Sequence, residues 1–94
     1  MPFDMKSRVL PPAGVLVREL EGEAVLLNLG SESYFGLDLV GTRMWVVLTT
    51  SESVQTAYDR LLGEYEVEPE QLRSDLELFI GKLVEQGLLV TADG

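Results

Sequence analysis

At Asp38 the sequence changes its habit, and that change constrains the fold more than any other feature. Ahead of it, Ser33-Tyr34-Phe35-Gly36-Leu37 is a short aromatic run suited to a strand. Behind it, Leu39 to Leu48 has the spacing of a helix and carries one large aromatic, Trp45. Asp38 suits the junction, because a carboxylate there accepts hydrogen bonds from amides left free at a helix start. Everything upstream reads as strands able to pair with this run, and everything downstream reads as helices able to cover it. The implied class is α+β.

Upstream, Val15 to Leu20 ends at the polar turn Glu21-Gly22-Glu23, and Ala24 to Leu29 ends at a second glycine-bearing turn. With Ser33 to Leu37 these runs make a three-stranded antiparallel meander. Period two assigns Val25, Leu27 and Leu29 to the core face of the second strand, and Phe35 and Leu37 to that of the third. Leu26 and Tyr34 then point away. Residues 1–14, with Pro11 and Pro12, read as a flexible arm ahead of a single domain over 15–94.

Downstream, Val40, Met44, Val47 and Leu48 fall on one face of the first helix, and Gly41 in its first turn implies a close approach to the sheet. Thr50 or Ser51 can cap the second helix, whose apolar positions are Val54, Ala57, Tyr58, Leu61 and Leu62. Gly63 suits the left-handed position beyond its end. The third helix is the best marked. Pro69 lies in its first turn, Val67 and Leu72 are spaced as a staple, and Glu68 and Glu70 favour the positive end. Leu72, Leu76, Phe79, Ile80, Leu83 and Val84 form its apolar stripe. Gly87 stops it, Leu88 folds back onto Leu83, and Leu88 to Val90 make a short last strand. A sheet followed by helix-turn-helix has the outline of a winged helix.

Composition removes whole classes of function. The chain of 94 residues has no cysteine and no histidine, which excludes thiol nucleophiles, zinc–thiolate sites and the commonest general base. No serine has a partner base, and no carboxylate pair stands out. Glu64, Glu66, Glu68 and Glu70 alternate but lack the pattern of a calcium loop, so they read as a solvated acidic turn. No metal or cofactor is expected. The net charge is −9. With acids predominating in the helical half, nucleic acid and anionic membrane are poor partners. The sequence has no signal peptide and no apolar run able to span a bilayer, so a soluble cytoplasmic protein is expected. Phe35 and Trp45 read as core. Asp75 admits two readings: it pairs with Arg43 or Arg73 at the stripe's edge, or it faces a groove.

Taken in order, Tyr34-Phe35-Gly36-Leu37-Asp38-Leu39-Val40-Gly41, then Trp45 and Leu48, then Asp75, Phe79, Leu83 and Gly87-Leu88-Leu89 resemble the PqqD-like family. Its members are the precursor-recognition domains of pathways that make natural products from ribosomal peptides (RiPPs). The resemblance runs from Val15 to Val90. It implies a winged helix-turn-helix-like fold, with three strands followed by three helices. It also implies a peptide-recognition element that binds a precursor's leader segment by strand addition, the added strand lying against the third helix.

Carried over, Ser33, Tyr34, Phe35, Gly36 and Leu37 would supply the edge. The groove side would come from among Leu72, Arg73, Leu76, Phe79, Ile80 and Leu83, with Asp75 if it faces inward. The resemblance is strongest to the free-standing members of lasso-peptide pathways, which hand a precursor to a leader peptidase or other modifying enzyme. Members that present a peptide to a radical enzyme in pyrroloquinoline-quinone (PQQ) synthesis are similar too. The expected protein is a non-catalytic adaptor, monomeric or weakly dimeric. A winged-helix DNA-binding regulator and a subunit filled permanently by a partner enzyme are the alternatives.

Overall fold

A computed structural model describes residues 4–92. In chain order the elements are β1 (Arg8–Leu10), β2 (Val15–Leu20), β3 (Glu23–Asn28), β4 (Ser33–Gly36), α1 (Leu39–Thr50), α2 (Val54–Glu64), α3 (Pro69–Glu85) and β5 (Val90–Ala92). The fold is α+β: an antiparallel sheet in the order β2-β3-β4, three helices, and a separate β1–β5 ribbon. No helix among the described residues is long and apolar enough to cross a membrane.

Glu21 and Gly22, both with positive φ, form the two-residue turn between β2 and β3. That conformation matches the twist of paired strands. Asn28 organises the next connection. Its Oδ1 accepts from Gly30 N at 3.0 Å and Ser31 N at 3.3 Å, and its Nδ2 reaches the Gly87 carbonyl at 3.2 Å. The meander is thereby tied to the far end of α3.

The inner face of β3 is the reverse of the expected one. Leu26 and Ala24 are buried, whereas Val25 and Leu29 are exposed. The cause is register. Leu26 stands opposite Phe35, and directly opposed residues share a face, so the inward-facing Phe35 carries Leu26 with it. The run from Ala24 to Leu29 is apolar on both phases, so periodicity alone could not choose between them.

The expected loose arm is also corrected. Val9 is buried in the core, and Arg8–Leu10 pairs antiparallel with Val90–Ala92. The arm performs a structural task as well: Val54 N and Gln55 N at the start of α2 donate to the carbonyls of Ser7 and Met5, each at 2.8 Å. First-turn amides lack partners within their own helix, and here another segment supplies them. Residues 1–3 of the arm, and 93–94 at the other end, lie outside the described residues.

The helices begin and end for identifiable reasons. Asp38 caps α1, its Oδ1 accepting from Gly41 N at 2.7 Å. A Cβ on Gly41 would lie 3.2 Å from that carboxylate and 3.5 Å from Leu37 Cβ, so the glycine's close approach is to Leu37 and the cap. Ser53, not Thr50 or Ser51, caps α2, taking Thr56 N at 3.1 Å. Thr50 and Ser51 instead bond back to the carbonyls of Val46 and Val47, each at 2.6 Å. Gly63 lies inside α2, which continues to Glu64 and closes with Tyr65 N on the Leu61 carbonyl at 3.0 Å.

Arg43 Nε holds Glu64 at 2.9 Å, and this hydrogen bond, with the guanidinium charge, lowers the Glu64 pKa. The end of α3 is a Schellman motif. Gly87 has φ +72°, Leu88 N bonds the Leu83 carbonyl at 2.8 Å, and Gly87 N bonds the Val84 carbonyl at 3.1 Å. The last strand starts at Val90, because Leu88 and Leu89 are occupied in the core.

Thr42 joins sheet to helix through a buried hydroxyl. Its Oγ1 accepts from Ala24 N at 2.8 Å and lies 3.5 Å from the Leu37 carbonyl. Leu37 N bonds the Ala24 carbonyl at 2.7 Å. The hydroxyl thus stands in for the second bond of that rung, which the chain loses as it turns into α1. Replacing Thr42 by valine keeps the shape and leaves a buried N–H unpaired. We expect a loss of about 1–3 kcal/mol in urea denaturation. An unchanged midpoint would show that the amide finds another partner.

Candidate functional site

β4 is an end strand of its sheet, paired with β3 along one edge. The ladder fixes which of its groups are free. In antiparallel pairs, residues alternate between those that bond across and those that point away. Leu37 bonds to Ala24, so Phe35 and Ser33 in the same phase bond toward β3, while Tyr34 and Gly36 direct N–H and C=O outward. Both residues are exposed, Tyr34 to 78%.

Beside this edge runs a groove. One wall is the handover into α1, with Asp38, Val40, Gly41 and Met44; the other is α3, with Asp75, Leu78, Phe79 and Lys82. These α3 residues are spaced i, i+3, i+4 and i+7, which puts them on one helical stripe. The core stripe of Leu72, Leu76, Ile80 and Leu83 lies next to it. Lys82 reaches back toward the strand, with Nζ 5.3 Å from the centroid of the Phe35 ring, within the range of a cation–π contact.

The anticipated site residues separate accordingly. Ser33, Tyr34 and Gly36 are exposed on the edge strand, Phe35 is half-buried against the core, and Leu37 is buried. On α3, Leu72, Leu76, Ile80 and Leu83 are enclosed in the core and have no surface toward the groove. Arg73 is exposed but contributes nothing to the groove lining, and its Nε meets Glu77 Oε1 at 3.3 Å. Phe79 is half-buried in the groove wall.

Asp75 pairs with neither of the arginines offered to it. Arg43 is engaged by Glu64 and Arg73 by Glu77, so neither holds it. Its carboxylate lines the groove and accepts from Gln71 Nε2 at 2.8 Å.

Sequence reasoning missed Leu78 and Lys82, and it grouped Val40 with Met44, Val47 and Leu48 on one face of α1, where Val40 alone is exposed. The signal for Leu78 was a large apolar residue off the core stripe; it is 71% exposed. Leu16, Leu27 and Tyr34 form a further cross-strand row on the sheet's outer face.

Known proteins of the same shape carry this architecture. The family described as Coenzyme PQQ synthesis protein D (PqqD) matches residues 23–89. Comparison with curated proteins gave no match. Among solved structures, TbiB1 in complex with the TbiA(beta) leader peptide is 32% identical with a TM-score of 0.80, over 85% of this chain and 93% of that one. A lasso peptide synthetase B1 complexed with the leader peptide superposes with a TM-score of 0.79 at 23% identity, over 88% of this chain and 98% of its own; that likeness is one of fold. The family match spans the sheet from β3 through the end of α3, and with it the open edge and the groove: the chain belongs to the PqqD family.

Proposed function

We propose that this chain is a non-catalytic adaptor that binds the leader segment of a ribosomally made precursor peptide. The peptide adds to β4 as a fourth strand, against the α3 groove, and is presented to a leader peptidase or other modifying enzyme. The observation that carries the reading is the open edge. Outward backbone groups of Tyr34 and Gly36 stand beside an apolar groove, in a chain 32% identical to a protein solved with a leader peptide. Main-chain hydrogen bonds supply affinity for any extended peptide, and the groove selects among side chains.

A sequence without histidine or cysteine supports a binding role rather than catalysis, and a net charge of −9 opposes binding to nucleic acid. The pathway we favour is lasso-peptide synthesis, with the chain acting in the cytoplasm as a monomer or weak dimer. The test is fluorescence anisotropy with synthetic leader peptides of lasso precursors and, in parallel, a PQQ precursor peptide. Saturable binding to a lasso leader, lost on scrambling its sequence, is the expected result. Binding to the PQQ peptide alone would move the chain to the other pathway, and binding to neither would reject the adaptor reading.

A further inference from the structure

The groove lining is apolar apart from three charged side chains, Asp38, Asp75 and Lys82. Lys82 makes no ion pair among the described residues, although the protein carries an excess of acids. The two carboxylates in the lining are both engaged, Asp38 by the amide of Gly41 and Asp75 by Gln71. Asp75 and Lys82 are seven residues apart on α3, about 10 Å along the axis at 1.5 Å per residue. The α3 wall therefore has an acidic end and a basic end.

A strand added to β4 would meet this wall in a fixed way, because alternate side chains point to the same face. The added residue opposite Phe35 turns inward beside the ring and beneath Lys82. The groove also offers the apolar side chains of Val40, Leu78 and Phe79 to a second inward residue. We infer that Lys82 makes the groove select a peptide with a carboxylate side chain opposite Phe35, and an apolar side chain two positions away. This rests on the strand-addition reading and goes beyond it in naming the ligand's chemistry and the residue that selects it. A bound carboxylate gives the ammonium a partner and lies away from Asp75. The apolar neighbour covers exposed Val40 and Leu78.

A library of random peptides displayed on phage, panned against the full chain, tests the inference. Because the protein is strongly acidic, long-range repulsion works against acidic peptides. Enrichment of Asp or Glu thus reports a local contact. The expected result is enrichment of an acid and an apolar residue at a spacing of two. K82Q should lose the acid but keep the apolar residue, and K82E should exchange the acid for Lys or Arg. An enriched peptide should bind the parent chain about fivefold more tightly than its Glu→Gln analogue, and K82Q about equally, the size expected of a partly exposed ion pair. Enrichment without an acid, or an acid preference that survives in K82Q, overturns the inference and leaves strand addition standing. A parent chain that enriches no peptide removes both.

Discussion

Tyr34→Pro will weaken peptide binding by roughly two orders of magnitude and leave the protein folded. Proline has no N–H, and its ring occupies the space where a paired strand would lie. At most positions in a sheet that would also break the ladder, but Tyr34 is out of phase with the bonds to β3. Leu37 bonds across to Ala24, and two and four residues back Phe35 and Ser33 do the same, so the Tyr34 amide points to the open edge. Proline is tolerated at such sites. The expected cost to binding is about 2–3 kcal/mol from a lost main-chain bond and the blocked approach, or roughly 30- to 150-fold in Kd. Circular dichroism and the thermal midpoint should change little.

Two companion variants make the result specific. Tyr34→Ala keeps the amide and should retain most affinity, since the ring projects from the outer face. Phe35→Pro removes an amide directed at β3 and should impair folding itself. Full affinity in a folded Tyr34→Pro protein would rule out edge pairing.

How much of this could be read from the sequence depends on how local the determining physics is. The handover at Asp38, the meander ahead of it and the Schellman end at Gly87 are set by residues within a few positions, and they stand where the chain says. Long-range features were hidden. The pairing of Arg8–Leu10 with Val90–Ala92 joins the two ends of the chain, and nothing near Arg8 announces it. Ser53 displaced Thr50 and Ser51 as the cap of α2 because three neighbouring hydroxyl residues all had the right chemistry, and only the path of the chain chose among them.

The site was half legible, for a reason in the helix itself. α3 carries two neighbouring stripes, and the stronger apolar signal belongs to the core stripe of Leu72, Leu76, Ile80 and Leu83. A groove read from apolarity alone therefore collects core residues. The groove stripe of Asp75, Leu78, Phe79 and Lys82 mixes charge with exposed apolar surface. Such a mixture is what a surface that binds peptide and stays hydrated when empty requires, and it resembles an ordinary solvated face. The edge strand was found because its aromatic run and the capping residue after it are contiguous.

Register is the feature whose consequences are largest, and Leu26→Ala measures it. Leu26 is fully buried in the central strand, between Val17 and Phe35. Removing a buried leucine to the Cβ costs about 2–5 kcal/mol, from lost transfer energy and the cavity left behind. Domains of this size have total stabilities of only about 5–10 kcal/mol, so the variant should be partly unfolded at moderate temperature. Leu29→Ala, at a position 59% exposed, should shift the urea midpoint hardly at all, within about 0.5 kcal/mol. Periodicity read from the sequence gives the opposite order, with Leu29 inside and Leu26 out. The paired denaturation curves therefore decide between two registers of one strand. A slip of one residue in β3 turns its whole apolar set to the other face, so the two leucines exchange roles between the registers. A large loss at Leu29 with little at Leu26 would show that β3 turns its other face to the core and would overturn the pairing of Leu26 with Phe35.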